Sequence, residues 1–221
     1  MSVARLIQKD WYFNRWPITA YTLVGLGAVA LLALPNEGAF YAGSTLLVTA
    51  LISIGIHLVM TSVVHERSEQ TLAFVMSLPV TARQYTAAKM AANLTIFAVA
   101  WFVLTVATVG VIASRGAVPD GLIPLSLVVL GQIFASYVLL LGVAIVSESV
   151  NWSIGAIIAG NLLMQAVLYG VANAPAVKPS LATDAIAWPQ PIPAVLAIEL
   201  LAVVAILTWT FTAQSRKKEF V

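Results

Sequence analysis

Apolar residues in this chain come in long blocks, separated by short polar breaks. Six blocks stand at about 17–34, 39–64, 85–113, 122–146, 151–172 and 191–213. Each is near the ~20 residues that carry a helix across a bilayer, so six transmembrane helices are predicted. Three of the breaks are "PNEG" at 35–38, "SRGAVPDG" at 114–121 and "SESV" at 147–150. A longer one, "NAPAVKPSLATDAIAWPQP" at 173–191, carries four prolines and room for a short helix begun by Ser180. It is expected to form an outer re-entrant segment over about 173–190.

Ahead of the first block, residues 1–16 are more polar. Val3, Ile7 and Trp11 recur at i, i+4 and i+8, with Arg5, Lys9 and Arg15 off that stripe. The pattern predicts an amphipathic helix in the membrane interface, its cations snorkelling to water and its aromatic residues at the boundary. Residues 215–221 form a basic tail.

Composition supports the membrane reading. The 221 residues are 61% hydrophobic and 9% charged, against the roughly 25% charged residues of soluble domains. Six spans leave no stretch for a separate soluble catalytic domain. With no cysteine, thiolate metal sites and cysteine nucleophiles are excluded.

Charge then orients the chain. With both termini inside, Arg5, Lys9, Arg15, Arg67, Arg83, Lys89, Arg216, Lys217 and Lys218 lie on the inner side, and only Arg115 and Lys178 lie outside. Such a bias places the basic side in the cytoplasm. It accounts for the basic pI without nucleic acid, which is not expected as a partner.

The stretch "HERSEQTLAFVMSLPVTARQYTAAK" at 65–89 falls between the second and third spans, on that inner side. Glu66 and Glu69 sit in the first turn of a predicted helix, where the dipole favours acids. Leu72, Val75, Met76 and Leu78 form an apolar stripe. Pro79 stops the helix, and Thr81 to Gln84 fits a capping box that opens the next one. The expected structure is helix, sharp turn, helix, laid across the membrane face.

The order Glu66-Arg67, Thr71-Leu72, Ser77-Leu78-Pro79-Val80, Arg83 and Lys89 resembles the signature of type-2 ABC transporter permeases. The resemblance is specific over about 25 residues and extends to the whole chain in architecture. Gln70 departs from it, replacing the usual glycine, as does Ala73, which stands where an acidic residue often follows.

What the resemblance implies is a cytoplasmic coupling helix at about 66–78. Glu66, Arg67, Glu69, Thr71, Leu72, Leu78 and Pro79 would carry its contact with a separate cytoplasmic ABC ATPase, present in two copies. It implies a second copy of this chain, a bacterial inner membrane with both termini cytoplasmic, and export driven by ATP and Mg bound on the partner. No cofactor is expected on this chain.

Catalytic patterns are missing. There is no G-x-x-x-x-G-K-[ST], no G-x-S-x-G elbow, and no second histidine four residues after His65, as an H-E-x-x-H zinc helix needs. The chain is therefore expected not to be an enzyme and to bind no metal.

Few polar residues fall inside the spans. Glu199 lies about eight residues into the last one, roughly 12 Å deep, where a carboxylate reads as functional or as a structural hydrogen-bonding group. Asn161 and Gln165, at i and i+4 in the fifth span, are candidates for one pathway-lining face, with Ala156 and Gly160 as a small-xxx-small pair beside them. His57 in the second span is a further pathway candidate or a packed structural residue. Asn93 and Gln132 are expected as interhelical hydrogen-bonding groups.

Short outer loops and few charges in the spans favour an amphiphilic or apolar cargo, such as a lipid, peptide or drug. The alternatives are a substrate-binding membrane component of a vitamin importer, and an integral-membrane enzyme.

Overall fold

The computed structural model describes residues 3–65, 82–115 and 118–215. Its helices are α1 (Val3–Leu32), α2 (Glu37–Val59), α3 (Ala82–Arg115), α4 (Leu122–Ser147), α5 (Val150–Ala172) and α6 (Ile192–Ser215). Two short pieces accompany them: a π-helix at Met60–His65 and a 3₁₀ turn at Ser180–Ala182. There is no strand among the described residues. All six helices are long and apolar enough to cross a membrane, which is the architecture of a multi-pass membrane protein.

The short breaks turn the chain by identifiable local chemistry. Asn36 caps α2: its Oδ1 accepts from the Ala39 N–H at 3.2 Å, while Glu37 places an acid in the first turn. At the end of α4, Glu148 adopts φ 58°, a left-handed cap more often given to glycine, and its N–H bonds to the Ala144 carbonyl. Ser149 then extends the chain for one residue before α5 begins.

Residues 173–191 fold against the start of α4. The Gly121 N–H donates to the Thr183 carbonyl at 2.9 Å. A Cβ on Gly121 would collide with the Ser180 carbonyl, so only glycine permits this approach. Val177 is fully buried there with Ile192, Val128 and Val171.

The start of the chain departs from expectation. Residues 3–32 make one helix that runs through Pro17, with no break between an interfacial piece and a span. Asp10 and Asn14 turn inward and are buried, whereas Trp11 is exposed. The cause is a polar partner on α3, described below, that draws Asp10 inward.

α4 occupies the middle of the bundle, packed on α2, α3, α5 and α6, while α1 covers α2 and α3. The main core joins Leu51, Ile54 and Leu58 of α2, Phe97 and Leu104 of α3, and Val138 and Leu141 of α4. Apart from Phe102 midway along α3, the exposed aromatic residues gather at two levels. Trp11, Tyr12, Phe13 and Trp16 begin α1, Trp152 begins α5, and Trp209 and Phe211 end α6. Tyr41 near the start of α2, Tyr169 near the end of α5 and Trp188 before α6 mark the opposite level. Two such belts are what aromatic side chains form at the two faces of a bilayer.

Candidate functional site

The predicted ATPase-coupling residues Glu66, Arg67, Glu69, Thr71, Leu72, Leu78 and Pro79 lie outside the described residues. What is described is the framework on either side of them. α2 does not end as a plain α-helix: Met60–His65 widens into a π-helix, a form found mostly in short pieces and often at functional positions. On the far side, α3 begins at Ala82.

Between these two ends lies a buried polar cluster. Lys89 Nζ donates to both carboxylate oxygens of Asp10, at 2.9 and 3.1 Å. The Asn14 amide donates to the Asp10 carbonyl at 2.8 Å, and Thr61 Oγ1 lies 3.2 Å from Asn14 Oδ1. Ser62 Oγ donates to Asn93 Oδ1 at 2.7 Å, and the Asn93 amide donates to the Lys89 carbonyl at 3.0 Å. Asp10, Asn14, Ser62, Lys89 and Asn93 are all buried. One network therefore ties α1, the π-helix and the start of α3. The hydrogen bonds it contains offset the cost of burying the two charges, and removing one partner would take a buried charge-assisted bond from the other.

Asp10 carries no signal in an isolated helical reading. The available clue is that it is the sole acidic residue in positions 1–36, while Lys89 is the sole charged residue in the third apolar block. Opposite charges isolated in apolar surroundings seek each other.

Glu199 is buried, with its side chain against α4. Neither carboxyl oxygen has a hydrogen-bond partner among the described residues. It enters a socket left by Gly131, where any Cβ would overlap the carboxyl group. Further along the same pair of helices, a Cβ on Gly142 would stand 2.6 Å from Thr210 Oγ1. Eleven residues separate the two glycines and eleven separate Glu199 from Thr210. Three helical turns span about eleven residues, so α4 and α6 run parallel with polar side chains of one fitted into glycine gaps of the other. At the end, Gln214 Nε2 donates to Glu148 Oε1 at 3.4 Å.

The remaining pathway candidates are separated. Asn161 lines a cleft of about 40 Å³ whose walls are α2 and α5 and whose floor is α4. Its amide donates to the Ile157 carbonyl at 2.9 Å. Gln165 is exposed and does not line this cleft. His57 packs its ring against Tyr21 of α1, centroids 5.8 Å apart, and is also outside the cleft.

Inside the cleft, Gly55 and Gly160 allow α2 and α5 to approach α4. A Cβ on Gly55 would lie 2.9 Å from the Tyr137 ring, and one on Gly160 would lie 3.0 Å from Ser136 Cβ. Tyr137 stacks on Phe97 at 3.8 Å. The present volume holds about three waters, so a larger molecule would fit only if α2 and α5 separated.

No family model, curated protein or solved structure matches this chain.

Proposed function

We propose that this chain is the membrane-spanning subunit of an ATP-driven exporter of the type-2 ABC permease kind, working with a separate cytoplasmic ATPase. The observation that carries the reading is the 65–89 stretch. Its order of Glu66-Arg67, Thr71-Leu72, Leu78-Pro79 and Lys89 stands between the second and third of six apolar helices. The nine-to-two division of basic residues puts that stretch in the cytoplasm, on the same side as both termini.

The mechanism follows from where force would enter. An ATPase that grips 66–78 pulls on chain continuous with the π-helix of α2 and the first turn of α3. The Asp10–Lys89 pair carries α1 along with α3. α2 is one wall of the cleft that holds Asn161, so its displacement relative to α5 opens or closes that cleft. This is a rigid-body, hinge-and-shear transition. A second copy facing the cleft would complete a pathway for an amphiphilic or apolar cargo, with Glu199 in the bundle on the opposite side of α4.

Co-purification with co-expressed ABC ATPases, combined with ATP turnover in vesicles, tests the reading. Leu72→Asp is expected to abolish ATPase binding by placing a charge in an apolar contact. Glu66→Lys with Arg67→Glu is expected to weaken binding, in a salt-dependent way. Pro79→Ala is expected to preserve binding while separating hydrolysis from transport. If Leu72→Asp and the double reversal both leave binding and transport intact, the stretch does not couple to an ATPase and the assignment fails.

A further inference from the structure

A second concavity lies on the outer surface of the bundle, between α1 and α3 and away from the Asn161 cleft. It encloses about 250 Å³. Ile18 and Leu23 of α1 and Ile96, Val99 and Val103 of α3 give it apolar walls. Thr19 and Thr22 also line it, but their hydroxyls already donate to the Arg15 and Ile18 carbonyls at 2.7 Å each. At one end stand Trp11 and Arg15. The Arg15 guanidinium lies 4.0 Å from the centre of the Tyr12 ring and 5.6 Å from that of Trp16. This holds the cation within the aromatic belt.

We infer that this groove binds one anionic phospholipid of the leaflet on the N-terminal side, its phosphate on Arg15 and one acyl chain along α1 and α3. Length and charge both select this occupant. From Arg15 to Leu23 the α1 axis advances about 12 Å, close to the roughly 15 Å that one leaflet contributes to the hydrocarbon core. A groove of that length with a cation at the interface end and no charge along its walls matches a headgroup joined to an alkyl chain. Trp11, whose indole N–H is a donor, lines the same end of the groove. Basic pockets between membrane helices on the cytoplasmic side recognise anionic headgroups by this chemistry.

The test uses the purified full chain without any ATPase, so its outcome is separate from that of the transport reading. The chain is reconstituted in phosphatidylcholine vesicles doped with phosphatidylglycerol bearing a diazirine acyl chain. Parallel vesicles carry the same chain on phosphatidylcholine. After illumination, adducts are mapped by peptide mass spectrometry. Wild type should show about fivefold more phosphatidylglycerol than phosphatidylcholine adducts on residues 15–23 and 96–103, the ratio that about 1 kcal/mol per basic residue gives.

Arg15→Gln should bring that ratio near one. Val99→Trp should remove groove adducts of both lipids, while labelling of the exposed face of α6 stays unchanged and reports an intact bundle. Both residues are exposed, so neither substitution disturbs the core. Equal labelling by the two lipids in wild type, or an Arg15→Gln ratio still near five, overturns the inference. So does an absence of groove adducts from both lipids while α6 is labelled, which would leave the groove to a second copy.

Discussion

The most apolar 18-residue stretches of α4 and α6 have the same mean hydropathy, 2.3, yet 67% of the α4 stretch is buried and only 11% of the α6 stretch. One is the centre of the bundle and the other its rim. In water such a pair would differ in composition, because the rim would need polar residues. In a bilayer the surroundings are as apolar as the core, and hydropathy stops reporting which face is inside.

What distinguishes α6 is the placement of its few polar groups. Glu199, Thr210 and Gln214 face inward, while Ile198, Leu200, Leu201 and Val204 face outward and the exposed Thr208 and Thr212 hydroxyls bond the helix's own carbonyls. α6 is therefore inside-out relative to a soluble amphipathic helix. α4 meets it with glycines at 131 and 142, gaps where side chains of α6 insert. The lesson of the pair is that close fit and the placement of polar groups, rather than apolar burial, define the interior.

The largest test of that lesson removes a polar partner from the interior. Lys89→Met removes a buried charge partner of Asp10 and is expected to destabilise by about 3–5 kcal/mol. Adding Asp10→Asn should recover most of the loss in a melting experiment. A single variant that melts like wild type would show that the pair is not buried in the membrane.

Closing a glycine gap comes next. Gly131→Leu is expected to cost about 1–3 kcal/mol through overpacking and to expose α6 to protease. Gly110→Leu, at a glycine with open space around it, should leave melting unchanged. Equal effects at the two sites would erase the distinction between gap and surface.

The direct comparison of the two helices uses one residue type. Leu141→Ala in α4 opens a cavity among fully buried neighbours and should cost about 2 kcal/mol. Leu201→Ala on the outward face of α6 exchanges a side chain that touches lipid and should fall within about 0.5 kcal/mol of wild type. Thermal melting in the same vesicles decides between them.

The last test, at Glu199, pairs a small stability change with a functional one. Glu199→Gln keeps the shape and removes no hydrogen bond seen among the described residues. Its effect on melting should stay near the ~0.6 kcal/mol typical of intramembrane polar contacts, while under the proposed exporter function ATP turnover with the partner ATPase falls. Loss of fold without loss of turnover in the surviving protein would make this carboxyl a purely structural group.

The extents of the elements were legible in the residue order. The fourth span, expected at 122–146, is Leu122–Ser147, and the fifth, expected at 151–172, is Val150–Ala172. The sixth, expected at 191–213, is Ile192–Ser215. A bilayer fixes span length through its thickness, and Asn36, Ser149 and the prolines of 173–191 supply local stop and start signals.

Facing directions were much less legible. Asn161 and Gln165 share a face by spacing, yet one lines the cleft and the other is exposed. The pairing of Asp10 with Lys89 crosses 79 positions, beyond the reach of any periodicity. The residue order by itself determined six apolar crossings, their breaks, and a polar stretch between the second and third. Only the tertiary structure decided which crossing is the core, where Glu199 inserts, and which charges meet. In an apolar solvent, those choices rest on shape and on polar partners brought together from distant parts of the chain, and neither is a local property of the sequence.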